Sequence, residues 1–344
     1  GNGNFYTLYT RLGVDVAGPM LGKAKTSAKV EVDFRGSGTT YSLFRIRHVY
    51  FNLDWGKSAL LVGQTWHPLY GDVAPEILNL NMGAPYQPFS RAPQIRYRFT
   101  SNNFMLTAAA IWQSQYLSVG PKTNKPGETS TQKSQEFMKK SCVPEFYLGV
   151  DYKRPGLIAG AGLHVSSITP RTQSETENAI YFVNERVTGI SGEAHVKYTK
   201  EDWLVSAKTV LGTNLTQTST VGGYGITSID EVTGKQQYSP LRTSSTWVNV
   251  AYGKKWRPAL FFGYLKNLGA TKEVPYGALG TGTTLDQLFT GTAELTYNIP
   301  HWKFGAEYSL CNAWYGDEFD AKAKAINSHS ILNHRIVLVA LFQF

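Results

Sequence analysis

"FRIRHVYF", from Phe44 to Phe51, sets two arginines, Arg45 and Arg47, one residue apart inside a run of aromatic and β-branched neighbours. A spacing of two puts both guanidiniums on one face of a strand, with Phe44 and Ile46 on the other. A soluble core does not accept such charges, because an unpaired buried guanidinium costs several kcal/mol. An ordinary solvated sheet face has no need for neighbours this apolar. The stretch therefore asks for an environment with oil on one side of a strand and water on the other.

The same period-two pattern recurs along the chain. Val14 and Val16 oppose Arg11 and Asp15, and Ala28, Val30, Val32 and Phe34 oppose Lys29, Glu31, Asp33 and Arg35. Further on, Ile190, Ala194 and Val196 oppose Glu193, His195 and Lys197, and Phe304, Ala306 and Tyr308 oppose Lys303 and Glu307. No segment keeps a helical period. No apolar run approaches the roughly 18 to 20 residues a membrane helix needs; the longest is "IVLVALFQF" at 336–344. The 344 residues are 42% hydrophobic and only 17% charged, with 17 Phe, 20 Tyr, 8 Trp and 33 Gly. The two cysteines, Cys142 and Cys311, fix neither a redox compartment nor a pairing.

The alternation predicts about fifteen strands: 5–17, 24–35, 41–55, 58–66, 93–99, 103–116, 145–153, 157–168, 187–199, 203–211, 243–253, 258–267, 287–298, 302–311 and 331–344. Short connections such as "WGK" (55–57), "RPG" (154–156) and "IPH" (299–301) alternate with long ones at 67–92, 117–144, 169–186, 212–242, 268–286 and 312–330. Short turns at one rim and long loops at the other are the layout of a transmembrane, antiparallel, up-and-down β-barrel, here a single all-β domain. A sandwich has no reason to keep that parity. An even strand number with both ends at the short-turn rim leads us to expect sixteen strands in the complete barrel, one of them preceding Gly1. Trp55, Trp203, Trp256 and Trp302 all flank short turns, where an indole suits a membrane–water boundary. The last strand ends on Phe344 with alternating apolar residues, like the C-terminal signature of bacterial outer-membrane proteins.

"RLGVDVAGP…GKAKTSAKVEVDFRG…LFRIRHVYFNLDWGKSALLVGQTWHPL" (11–69), "PQIRYRF" (93–99) and "YSPLRTSSTWVNVAYGKKWRPALFFGY" (238–264) together resemble the DcaP-like group of trimeric outer-membrane porins, in particular Bacteroidota-type members. The resemblance spans most of the chain and is weakest in the long loops. It implies a sixteen-stranded homotrimer in the bacterial outer membrane, in contact with its lipid and lipopolysaccharide, that passes small and often anionic solutes.

A barrel of that size leaves a watery lumen. The face that carries charge then lines it with Arg11, Arg35, Arg45, Arg47, Arg96 and Arg98, together with lysines that include Lys266. A basic wall attracts anions, and guanidinium offers a donor fork for carboxylate or phosphate. The alternative is that these arginines pair with wall acids and only stiffen the barrel. By resemblance to general porins, the loop at 67–92 folds inward as a constriction, with Asp72, Glu76 and Arg91 as its charged determinants; an external flap is the alternative. The net charge of +9 fits an internal basic surface better than nucleic acid, because no basic run exceeds "GKK" or "MKK". The seven histidines show no metal pair on one strand face, and neither catalytic residues nor a cofactor are expected. The runner-up functions are a barrel lipase or protease and a plugged structural or adhesive barrel. One local detail stands out: Leu53 and Trp55 face outward on odd positions, whereas Arg45 faces inward. The phase must therefore slip between His48 and Asn52, most simply through a β-bulge.

Overall fold

The computed structural model describes residues 1–7, 9–36 and 43–344. Leu8 and the start of the strand expected at 41–55 lie outside the described residues. The chain enters as β1 (Arg11–Ala17), β2 (Lys25–Asp33), β3 (Arg45–Asp54), β4 (Ser58–Trp66), β5 (Arg91–Ser101) and β6 (Phe104–Ile111). A long excursion then carries the short β7 (Val119–Pro121), β8 (Thr131–Lys133) and a one-turn helix α1 (Glu136–Lys139). The wall resumes with β9 (Glu145–Arg154) and β10 (Leu157–Ile168). The next loop holds the β11 (Gln173–Glu175) and β12 (Ile180–Phe182) pair. β13 (Val187–Lys200) and β14 (Trp203–Thr213) follow, then β15 (Gly222–Ile229), β16 (Gln236–Tyr252) and β17 (Trp256–Ala270). The chain finishes with β18 (Ala278–Thr281), β19 (Leu285–Ile299), β20 (Trp302–Phe319) and β21 (Ala325–Phe342).

All but four of these strands join one 17-stranded antiparallel sheet. Fifteen are long wall strands in up-and-down order, each paired with the next wall strand in sequence. β15 and β18 add a patch at the long-loop rim, pairing with each other while β15 also pairs with β16. β1 begins at the long-loop end, β21 finishes at the short-turn end, and among the described residues these two edges have no further partner. Residues 312–319 and 325–330, expected in a loop, instead extend β20 and β21, with pairs from Asn312↔Leu332 to Phe319↔Ala325. Polar residues on both faces hide that extension from a reading based on alternation.

Burial follows the alternation. Along β16, Ser245, Trp247, Asn249 and Ala251 are buried, whereas Val248 and Tyr252 are exposed. Along β17, Ala259, Phe261 and Leu265 are buried and Leu260, Phe262 and Tyr264 are exposed. Large apolar side chains thus cover the outer face, the inverse of a water-soluble sheet. At the short-turn end the outer aromatics meet across strands, with ring centroids 4.7 Å apart for Trp203 and Tyr252 and 4.6 Å for Trp256 and Tyr297.

The expected bulge exists, slightly earlier than its predicted window. Glu31 pairs with His48 while Val32 pairs with Ile46, so Arg47 is the extra residue on β3. Arg47 and His48 are both buried, and beyond them Val49 and Phe51 face outward. Opposite, Gly63 holds φ +133°, where a Cβ would collide with the Val49 carbonyl. The β3–β4 ladder ends one pair later, at Val49↔Gln64.

Candidate functional site

Residues 67–90 leave β4 and cross the concave face of the sheet. Lys208 Nζ, on β14, donates to the Leu69 and Tyr70 carbonyls at 2.9 and 2.7 Å. Lys153 on β9 and Arg98 on β5 bracket Asp72 at 2.6 and 3.6 Å. Glu76 accepts from Lys197 of β13 at 3.0 Å and from Arg257 of β17 at 2.7 Å. The Leu78 N–H donates to Glu294 of β19 at 2.8 Å, and the Asn79 N–H donates to Glu307 of β20 at 3.0 Å. On the return, Tyr86 packs with Val73, Trp247 and Phe261, and Trp247 donates its indole N–H to Gln87. A single 24-residue segment touching walls from β5 to β20 requires the sheet to curl around it.

The segment leaves two gaps against the wall. One, of about 180 Å³, is lined by Tyr50, Thr65, Trp66, Asp72, Arg96 and Arg98. The other, of about 230 Å³, lies between Asn79, Asn81 and Tyr86 and the wall residues Thr290, Ser309 and Arg335. Burial alone would raise the Asp72 carboxyl, but the positive charges of Arg98 and Lys153 hold it down at about 2. Asp72 is therefore a fixed negative charge beside two fixed positive ones.

The arginines are less free than the sequence suggests. Arg45 donates to Asp33 at 2.9 and 2.6 Å, and Arg47 reaches Glu31 and, at 3.2 Å, Asp33. Asp33 is 1% exposed, so these are buried wall pairs, and the picture of two solvated pore arginines needs correction. The bulge is the reason: it turns Arg47 onto the acids of β2. Arg96 is also buried, donating to Gln94 at 2.8 Å and to the Trp66 carbonyl. Arg98 is half-buried in the first gap, with its Nε unpartnered among the described residues. The Arg11 guanidinium lies 4.2 Å from the Tyr9 ring centroid, also with an unpartnered Nε. Arg35 lies just past β2, its backbone N–H donating to Asp33 at 3.1 Å.

Arg91 is the first residue of β5 rather than part of the crossing loop. It occupies the opposite parity from Arg96 and Arg98, buried 4.6 Å from the Trp66 ring centroid and 5.4 Å from that of Phe89, and it does not meet Asp72 or Glu76. Lys266, expected inside, pairs with Ser244 and Gln287 on the outer parity and binds Asp286 at 2.5 Å.

Sequence reasoning did not identify Trp247, Gln87, Glu294 and Glu307 as the loop's anchors, because three are ordinary residues of their wall strands and Gln87 lies in the crossing segment itself. It also missed a buried hub. His164 Nε2 lies 2.7 Å and His67 Nε2 3.4 Å from the same Glu145 oxygen, and Gln217 donates to that oxygen at 3.1 Å. Gln113 donates to the other oxygen at 2.7 Å. The three ionisable groups offer ligand atoms within 4.8 Å of one another. However, the Leu69 N–H donates to His67 Nδ1 at 3.1 Å, so the neutral ring carries its proton on Nε2, aimed at Glu145. That lone pair is committed to N–H, and the hub acts as a hydrogen-bonded clamp at the root of the crossing loop. Its members come from five separate segments, which spacing within one strand could not reveal. Cys142 and Cys311 are both free thiols.

The fold is similar to that of the outer membrane channel DcaP of Acinetobacter baumannii, with a TM-score of 0.69 and 17% identity over 97% of this chain and 85% of that one. It is also similar to OmpT, an outer membrane protein of Vibrio cholerae, in a trimer form (TM-score 0.54, 13% identity, 97% and 91% covered). An anion-selective porin from Comamonas acidovorans matches with a TM-score of 0.54 and 11% identity, over 96% and 87% of the two chains. At these identities the likeness establishes the fold, that of the outer-membrane porin barrels. No protein-family model matches the chain, and no curated protein matches its sequence.

Proposed function

We propose that this chain is a bacterial outer-membrane porin, a passive channel for small hydrophilic solutes with a preference for anions, and that it works as a homotrimer. The observation that carries the reading is the crossing segment 67–90. It is stapled to opposite walls by charged groups and leaves gaps beside it, the first lined by Asp72, Arg96 and Arg98, rather than a filled core. A plugged structural barrel has no use for such gaps, and barrel lipases and proteases have fewer wall strands than the fifteen present here.

Anion preference rests on what the ion pairs leave over. Arg45 and Arg47 are spent on Asp33 and Glu31, whereas Arg98 lines the first gap beside Arg96. Asp72 is flanked by both Arg98 and Lys153, so the local charge is positive. The trimer form of the Vibrio protein and the anion selectivity of the Comamonas porin support the assignment by analogy.

The test is single-channel recording in a planar bilayer with a salt gradient. Open, weakly voltage-dependent steps with an anion-selective reversal potential are expected. A silent membrane overturns the channel reading, and a cation-selective potential overturns the anion preference alone.

A further inference from the structure

Seven short turns link the long strands at one rim. Five of them carry exposed bases: Lys23, Lys57, Arg154, Lys200, and the Lys254–Lys255 pair. The acids there are Asp54, Glu201 and Asp202. Two of these are engaged, Asp202 with Lys254 at 3.2 Å and Asp54 with the Gly56 N–H at 2.7 Å. The opposite rim is mixed: Lys139 pairs with Glu136, Arg171 with Glu185, and the β20–β21 hairpin sets Asp317 and Asp320 against Lys322 and Lys324.

The basic rim coincides with the aromatic belt. Lys57 is two residues from exposed Trp55, Lys200 is the register partner of Trp203, and Lys255 precedes Trp256 with its Nζ 5.5 Å from the Tyr297 ring centroid. An indole settles at the boundary of the acyl region, and a lysine stem extends outward from it to phosphate level. The pairing of Lys and Trp at three turns therefore repeats one geometry, with an apolar ring below and an ammonium above.

We propose that the short-turn rim binds anionic glycerophospholipid headgroups of the leaflet it faces, each phosphate held between a turn base and the neighbouring tryptophan. The proposal rests on the membrane-channel reading above. Repetition around the rim favours lipid over a single docked acidic protein, because the bases are spread over separate turns at the level of the belt rather than gathered in one patch. A soluble polyanion is the competing occupant.

Native mass spectrometry of the folded protein, released from micelles holding equal phosphatidylglycerol and phosphatidylcholine with matched chains, tests it. Phosphatidylglycerol should be retained preferentially, by about five-fold for each base engaged. The Lys57→Gln, Lys200→Gln, Lys254→Gln, Lys255→Gln combination should lose that preference while single-channel conductance is kept, and the matching Lys→Arg combination should keep it. The Lys254→Gln, Lys255→Gln pair alone should show a partial loss, and heat-modifiable mobility on gels confirms folding of each variant. Equal retention of both lipids by the parent overturns the proposal, as does an unchanged preference in the Gln variants. Tighter binding of poly-glutamate than of phosphatidylglycerol vesicles overturns it in favour of the soluble partner. Absence of channels in the bilayer recording refutes the porin reading instead, so the two failures are distinguishable.

Discussion

Trp247 Nε1–H donates to Gln87 Oε1 at 2.8 Å, joining a wall strand to a loop 160 residues earlier in the chain. Both side chains are fully buried, and the Gln87 amide goes on to donate to the Tyr70 carbonyl at 2.9 Å. One indole thus holds both arms of the crossing segment. Trp247→Phe keeps most of the packing but strands the Gln87 oxygen, which should cost about 1–3 kcal/mol. Thermal unfolding followed by heat-modifiable gel mobility should shift down accordingly, with noisier open-channel current. An unchanged midpoint together with quiet current would mean that the loop is held elsewhere.

Arg45 and Arg98 should behave differently although both were read as pore arginines. Arg45→Gln removes two hydrogen bonds from the buried Asp33, which keeps Arg47 and the Arg35 N–H, and should destabilise the barrel by about 1–3 kcal/mol. Arg98→Gln removes a partly exposed charge from the first gap. It should leave the unfolding midpoint nearly unchanged while moving the reversal potential toward zero. Equal selectivity shifts in the two variants would contradict the division into wall and pore arginines.

The Tyr86 ring lies flat against Gly263, so a methyl group at that position collides with it. Gly263→Ala should displace Tyr86 and break its 2.7 Å hydrogen bond with Thr290. The loop then loses one of its contacts with β19, keeping the one from Leu78 to Glu294, and single-channel conductance should change while the strand content measured by circular dichroism stays the same. Identical conductance would place the narrowest point away from Tyr86.

Acid should release the Asp72 tether only at low pH. Asp72 has a folded value of about 2, below the ordinary aspartate value near 3.9. A depressed carboxylate stabilises the folded state above the unfolded value, and that contribution is lost as pH falls from roughly 4 toward 2. Conductance controlled by the Asp72 tether should therefore be flat from pH 7 to about 4 and change only below that. Asp72→Asn should show the low-pH behaviour already at pH 7. A transition near pH 6 that survives in Asp72→Asn would point to another group.

Alternation along Arg45–Asp54 and Trp302–Leu310, with short turns after Asp54 and Ile299, was enough to specify an antiparallel barrel wall and which side chains face oil. Those are local properties, because side-chain direction in a strand has a period of two and turn length is covalent. The phase slip near His48 was legible for the same reason, since a bulge reverses parity on its far side. Three matters were decided only by the tertiary structure. The arginines at 45 and 47 became wall ion pairs, because their acids, Asp33 and Glu31, lie on a different strand whose register fixes the contact. Lys266 fell on the opposite face from the one expected and Arg91 fell on β5 instead of in the crossing loop, because parity and strand ends cannot be extrapolated toward a rim. The path of residues 67–90, and the anchors Trp247, Glu294 and Glu307, came from wall segments more than 150 residues away, brought near only because the sheet curls. Sequence by itself determined the wall and its two solvents. The pairing of charges across that wall, and hence which of them are left for a solute, was settled by register and by the curl of the sheet, which no local pattern encodes.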